Sequence, residues 1–180
     1  RSLSLKDRLR NFLLITGEAQ QLLDSENMAE LAAFCTESWV ISTKTDAGSG
    51  SWEAAACRCL QDLEILEPDW LALLKQWAQA PELPGFAPQD PEKLERIAVY
   101  FAFRYLLKAV NDGDLLGRAQ FCALGVLVTD RLSRFVGLPE ALRLFSREIE
   151  HNEENLGTLL EQFWQTEGLS LSALLAAFGG

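Results

Sequence analysis

Between Leu94 and Leu132 the chain reads LERIAVYFAFRYLLKAVNDGDLLGRAQFCALGVLVTDRL. Two apolar runs lie on either side of a short polar hinge, Asn111-Asp112-Gly113-Asp114. Each run is apolar on nearly every face rather than along one stripe, and a helix of that kind has to be surrounded. The pattern predicts a buried central helical hairpin, about residues 94–134, wrapped by more amphipathic helices.

The flanking segments fit that role. Ser4 is placed to cap a first helix, with Asp7 three residues on, and Leu5, Leu9, Phe12, Thr16, Ala19 and Leu23 follow helical spacing. Ser25 is a second cap, ahead of Met28, Leu31, Ala32, Cys35 and Trp39 at intervals of three and four. The Gly/Ser-rich run 44–51 reads as a mobile loop. Trp52 to Leu66 resumes a helix, and Pro68 stands at the first turn of another, Asp69 to Ala78. Pro81, Pro84, Pro88 and Pro91 cannot lie inside one continuing helix, so residues 80–90 read as an extended connector and a candidate subdomain seam. Asp90-Pro91-Glu92 starts a helix running to about Val110. Gly113 is a left-handed stop, and Asp114 caps Leu115 to Arg134. Leu138-Pro139-Glu140 opens one long helix to about Gln165, and Ser170 caps a short last one, Leu171 to Phe178. No strict alternation, hairpin signal or repeat is present. The expectation is an all-α bundle of roughly seven helices, one domain over residues 1–180.

Composition narrows the function classes. The chain has 180 residues, 48% hydrophobic and 23% charged, with a formal net charge of −10. Such a balance disfavours nucleic acid and anionic membrane surfaces as partners, since both need clustered Lys and Arg. The longest uninterrupted apolar run in the hairpin, Phe121 to Val128, is far below the ~20 residues of a membrane span. No secretory signal pattern is present, and a start at Arg1 suggests an excised domain or a processed chain. Cys35, Cys57, Cys59 and Cys122 have no CxxC spacing. Cys57 and Cys59 point ~200° apart on a helix, poorly suited to one metal. Buried reduced thiols in a cytoplasmic protein are the simple reading.

Candidate chemistry lies in polar residues where the pattern wants apolar ones. Arg104 shares a face with Ile97, Phe101 and Lys108, and Arg118 sits one turn into the second arm. A buried guanidinium needs a carboxylate or several carbonyls. Asp112 and Asp114 in the hinge are candidate partners. The long helix supplies others. Its seam runs Leu142, Phe145, Ile149, Leu156, Leu159 and Phe163, with Asn152 in the slot between Ile149 and Leu156. Glu148, Asn152 and Asn155 are therefore expected to face inward, toward Arg104 or Arg118. Arg147, His151 and Glu154 share a neighbouring face, and Glu150 is expected further out. Three readings remain open: an ion-pair and amide network that fixes helix register, a binding or active-site pocket, and a metal site. Glu148 and His151 form E-x-x-H, the unit of di-iron bundles, but those need a second copy and His151 is the single His. No spacing points to a nucleophile–His pair. The Trp residues read mainly as core anchors, with Trp164 a candidate partner surface.

Two segments, FRYLLKAVNDGDLLGRAQF (Phe103 to Phe121) and LFSREIEHNEENLGTLL (Leu144 to Leu160), resemble the C-terminal helical part of the flagellin lysine-N-methylase family, and the opening RSLSLKDRLRNFLLITGEAQQLLD is similar to the segment leading into it. The resemblance implies a parent protein that methylates lysines, with S-adenosylmethionine as donor and an iron–sulfur centre in a cysteine-rich cluster. This chain lacks that cluster, so it carries no cofactor of its own. The implied partners are an N-terminal cysteine-rich domain and a protein substrate such as flagellin, in a bacterial cytoplasm. Arg104, Asp112, Asp114, Arg118, Arg147, Glu148, Glu150, His151 and Asn155 would then shape a substrate groove or dock the absent domain. An acidic groove suits a cationic lysine. The alternatives are a non-enzymatic ligand-binding or dimerisation domain, such as the effector half of a bacterial transcription regulator, and a self-contained enzyme using the Glu148/His151 region.

Overall fold

A computed structural model describes residues 3–36, 51–82 and 86–179. Trp39, and residues 44–50 of the expected mobile loop, lie outside the described residues. Those described form an all-α bundle with no strand among them.

The chain runs α1 (Leu5–Asp24), α2 (Met28–Phe34), α3 (Trp52–Asp62), α4 (Pro68–Gln79) and α5 (Pro91–Tyr105). A 3-10 turn (Leu106–Lys108) leads to the short α6 (Ala109–Asp112), then α7 (Leu115–Val136) and α8 (Leu138–Phe145). A π-helical turn (Ser146–Glu150) precedes α9 (Glu153–Gln165), a 3-10 turn (Glu167–Leu169) and α10 (Leu171–Ala177).

Local chemistry explains most ends. Ser4, Ser51, Asp90, Asp114 and Ser170 each accept the N–H three residues on, capping α1, α3, α5, α7 and α10. Asn27, not Ser25, caps α2, because Ser25 already closes the end of α1 and Glu26 turns the chain at φ 56°. Gly113 at φ 74° provides the left-handed stop before α7.

α7 is the axis of the bundle. Its residues Ala119 to Leu132 are buried without a break, under α1, α5, α8, α9 and α10. Gly125 lets α5 come close: a Cβ there would sit 2.9 Å from the Phe101 ring. Phe101, Tyr105, Phe121 and Phe145 fill this junction, with the Tyr105 and Phe121 rings edge-on at 4.7 Å. Buried side chains from α1, α3, α4, α5, α7, α8, α9 and α10 form one contiguous cluster. The ends of the Pro-rich connector are tied into it. Arg131 donates to the Pro81 carbonyl at 2.7 Å, and Phe86 packs edge-on to Phe178 at 5.2 Å.

Two expectations need correction. The first arm of the hairpin is not wrapped. α5 buries only Leu94, Ile97, Phe101 and Tyr105 and leaves large apolar side chains in solvent. The hairpin is thus one buried helix and one half-buried helix. The single long helix from Leu138 to Gln165 is also broken. The π turn and the non-helical Asn152 (φ −115°, ψ 100°) divide it. Among the described residues no helix is long and apolar enough to cross a membrane.

Candidate functional site

The π turn explains where the polar residues go. Its extra residue shifts the helical register, so Glu148, Ile149 and Glu150 are all buried in succession. Two carboxylates thereby enter the interior on different sides, and each finds its own donors.

Glu148 is fully buried, yet it faces no arginine. Its two oxygens accept the backbone N–H groups of Leu66 and Glu67 at 2.9 and 2.7 Å. These are orphan donors at the start of α4, where a negative charge also meets the positive end of the helix dipole. Asn155 completes the clamp. Its amide donates to the carbonyls of Glu64 and Glu148 at 2.8 Å each and accepts from the Glu64 N–H at 3.0 Å. The expected approach of Glu148 and Asn155 to Arg104 or Arg118 is therefore replaced by bonds to the α3–α4 turn. Unpaired backbone groups in that buried turn are the stronger demand.

Asn152 is the cap of α9, not a seam residue. Its side-chain oxygen accepts from Glu154 and Asn155 N–H at 3.1 Å each, and its amide donates to Glu64 at 3.1 Å. His151 is exposed in the same break. Arg147 is exposed and reaches Glu67 only at 3.9 Å. The E-x-x-H pair is not assembled, since Glu148 is committed to backbone donors. Cys122 and His151 form no pair: the thiol is buried, and burial pushes it up to about 12.

Glu150, expected further out, is the hub of the polar layer. It accepts the hydroxyls of Tyr105 at 2.8 Å and Tyr100 at 2.9 Å. Arg104 Nε lies 3.5 Å from the same oxygen and donates to the Tyr105 hydroxyl at 3.0 Å. Burial, then the Glu150 carboxylate, pushes both phenols above their ordinary range. Arg104 was expected inside; its side chain is 40% exposed, stacked near the Tyr100 and Tyr105 rings. Lys108 lies 5.3 Å from the Tyr105 ring. The hinge residues behave more simply. Arg118 is largely buried and pairs with Asp112, whose carboxyl is held below its usual range by that bond. Asp114 accepts the Gly117 N–H at 2.8 Å.

Sequence reasoning missed a second buried ionic centre. Glu53 and Arg131 approach to 3.1 Å with side chains 6% exposed, and Trp77 donates its indole N–H to Glu53 at 3.2 Å. The Arg131 Nε in this contact lacks hydrogen-bond alignment, so the attraction is coulombic. A signal existed: Glu53 lies three residues before Ala56, and Arg131 follows Val128 by three, each in a slot of an apolar stripe. Gln20 was missed too. It accepts Leu115 and Leu116 N–H at 2.8 and 3.1 Å and donates to the Gly113 carbonyl at 3.0 Å, closing the hinge onto α1.

Above the Glu150 layer, α5 with the 3-10 turn and α6 after it presents the most exposed apolar surface of the described residues. Val99 (53%), Tyr100 (45%) and Phe103 (74%) lead to Leu107 (65%) and Val110 (87%) at helical intervals. Beside this stripe a groove of about 170 Å³ opens between α1 and α5, floored by Leu9, Phe12, Ala98 and Ala102. Among the described residues no group of three or more His, Cys, Asp or Glu could hold a metal ion. No family model, curated protein or solved structure matches the chain.

Proposed function

We propose that the chain is a non-catalytic helical docking domain whose contact surface is the outer face of α5 and of the 3-10 turn and α6 that follow it. The observation carrying this reading is the row of large apolar side chains from Val99 to Val110, left in water above a hydrogen-bonded polar layer. Contiguous exposed apolar surface rimmed by polar groups marks interaction sites. The buried carboxylates, by contrast, hold structure together: Glu148 accepts two backbone N–H groups, and one oxygen of Glu150 gathers two phenols and a guanidinium. Fixing Tyr100 through Glu150 before a partner arrives lowers the ordering cost of binding.

The resemblance to flagellin lysine-N-methylases gives this role a setting. A domain without the clustered cysteines would scaffold the reactive module or hold the protein substrate, while S-adenosylmethionine and the iron–sulfur centre belong to that module. The docking role is tested by placing a photo-crosslinking residue at Phe103 or Leu107 in cells, with exposed Arg58 on α3 as control. Discrete adducts at Phe103 and Leu107 alone are expected, and equal labelling of all three overturns the reading. The methylase setting is tested separately, by assaying lysine methylation of flagellin in cells carrying Phe103→Ser with Leu107→Ser. Unchanged methylation removes that setting.

A further inference from the structure

We infer that the α5 face, taken as the docking surface above, seats an amphipathic helix with an acidic edge, supplied by a different protein or module. The charge arrangement along α5 and the 3-10 turn after it carries this. In a chain of net charge −10, the stripe is bordered by cations. Arg104 and Lys108 follow one another at i, i+4 along one side, and exposed Arg96 stands at its amino-terminal end, one turn after exposed Glu92. Neither Arg96 nor Lys108 makes an ion pair among the described residues. Arg104 holds Tyr105 through Nε alone, with its terminal nitrogens unbonded among those residues. On the opposite border Arg8 and Glu95 neutralise each other over the α1–α5 groove.

The two borders therefore ask for different things. The groove takes apolar side chains, and Phe103, Leu107 and Val110 meet an apolar stripe of matching period. The Arg104–Lys108 border takes carboxylates. A helix laid in a groove satisfies both at once, and rim charges of this kind set orientation and partner choice. A second copy of the chain fits worse. A two-fold antiparallel crossing at Phe103 brings the two Arg104 side chains together beside the axis, like charge against like. An anionic bilayer is disfavoured by the chain's overall negative charge.

The test uses two fluorescent peptides of ~18 residues, about five helical turns. Both carry one leucine stripe, flanked by Glu in one and Lys in the other. Anisotropy titration with the full chain is expected to show the acidic peptide binding at least tenfold more tightly, and less so at high salt. Arg96→Glu with Lys108→Glu is expected to remove that preference, while Phe103→Ser weakens both peptides. Equal affinities, no binding of either peptide, or charge reversal without effect overturn the acidic-helix inference. So does a chain dimer by light scattering that Phe103→Ser dissolves, or sedimentation with phosphatidylglycerol vesicles. Equal affinities that Phe103→Ser abolishes leave the docking reading standing while removing this one. Circular dichroism melts matching the parent chain show that each variant folds.

Discussion

Glu148 accepts the backbone N–H of Glu67 at 2.7 Å, so one glutamate holds the main chain of another at the start of α4. The Glu67 side chain turns outward to Arg143, which keeps its carboxyl below the usual range. Glu148→Ala leaves two donors, on Leu66 and Glu67, without their acceptor in a turn that the rest of the bundle holds closed. A loss of roughly 3 kcal/mol is expected, read by urea unfolding. Glu148→Gln keeps one acceptor and is expected to lose less. Equal stability of Glu148→Ala and the parent refutes the clamp.

Glu150 makes a second prediction. Tyr105 is almost fully buried and Tyr100 is half exposed, so the two hydroxyls are not equivalent. Tyr105→Phe is expected to cost about 1–3 kcal/mol, because a buried carboxylate loses a donor that water cannot replace. Tyr100→Phe is expected to cost less. The Tyr105 hydroxyl is pushed above its ordinary value of 10.0. The folded state then holds that proton when the unfolded state has released it, so stability falls as pH rises above about 10. That alkaline slope is expected to shrink in Tyr105→Phe.

The Glu53–Arg131 contact is expected to behave as a buried pair. Glu53→Ala leaves buried Arg131 without its paired carboxylate and the Trp77 indole N–H without its acceptor, and a loss of about 3–5 kcal/mol is expected. Glu53→Ala with Arg131→Met is expected to recover much of it. A double variant no better than the single one shows that packing, not charge, sets the cost.

Asp130 is buried in α7, and desolvation outweighs its bond to Arg134, raising its carboxyl above the ordinary 3.8. The folded chain therefore binds more protons than the unfolded chain from that value up to the raised one. Stability declines across this window as pH rises and stays lower above it. Asp130→Asn is expected to raise the melting temperature at pH 7, by about 1 kcal/mol or less of stability. The gain is expected to vanish below pH ~3, where the carboxyl is protonated in both states. A lower melting temperature at pH 7 shows that the arginine contacts dominate.

The thiols give the simplest measurement. Cys35 is exposed, whereas Cys57, Cys59 and Cys122 are buried. Burial pushes the Cys59 thiol up to about 11 and Cys122 to about 12, leaving little thiolate at neutral pH. Under native conditions one equivalent of a disulfide reagent is expected to react quickly at Cys35. The other three are expected only as the chain unfolds. This corrects the expectation that all four thiols are buried.

Helix positions were legible in the chain because their signals are local. Pro91 after Asp90, Gly113 before Asp114, and Ser170 before Leu171 act within one turn of backbone, and each appears as read. The all-α class follows from the same local periodicity. Burial around α5 was not legible. An apolar run shows that a helix can be covered, not that this molecule covers it, and the first arm lies at the edge with Phe103 on α5 and Val110 on α6 outside.

The partners of the polar residues depended on the tertiary structure alone. A continuous helical period places Asn152 in the seam and Glu150 outside. One extra residue in the turn Ser146–Glu150 reverses both, and nothing within that segment announces it. The insertion is held by distant demands: N–H groups at Leu66 and Glu67 on one side, hydroxyls at Tyr100 and Tyr105 on the other. Side-chain periodicity along one helix carries no record of unpaired donors some 50 or 80 residues away. Backbone propensity thus determined where this chain coils, and long-range hydrogen bonding decided which way its buried charges point.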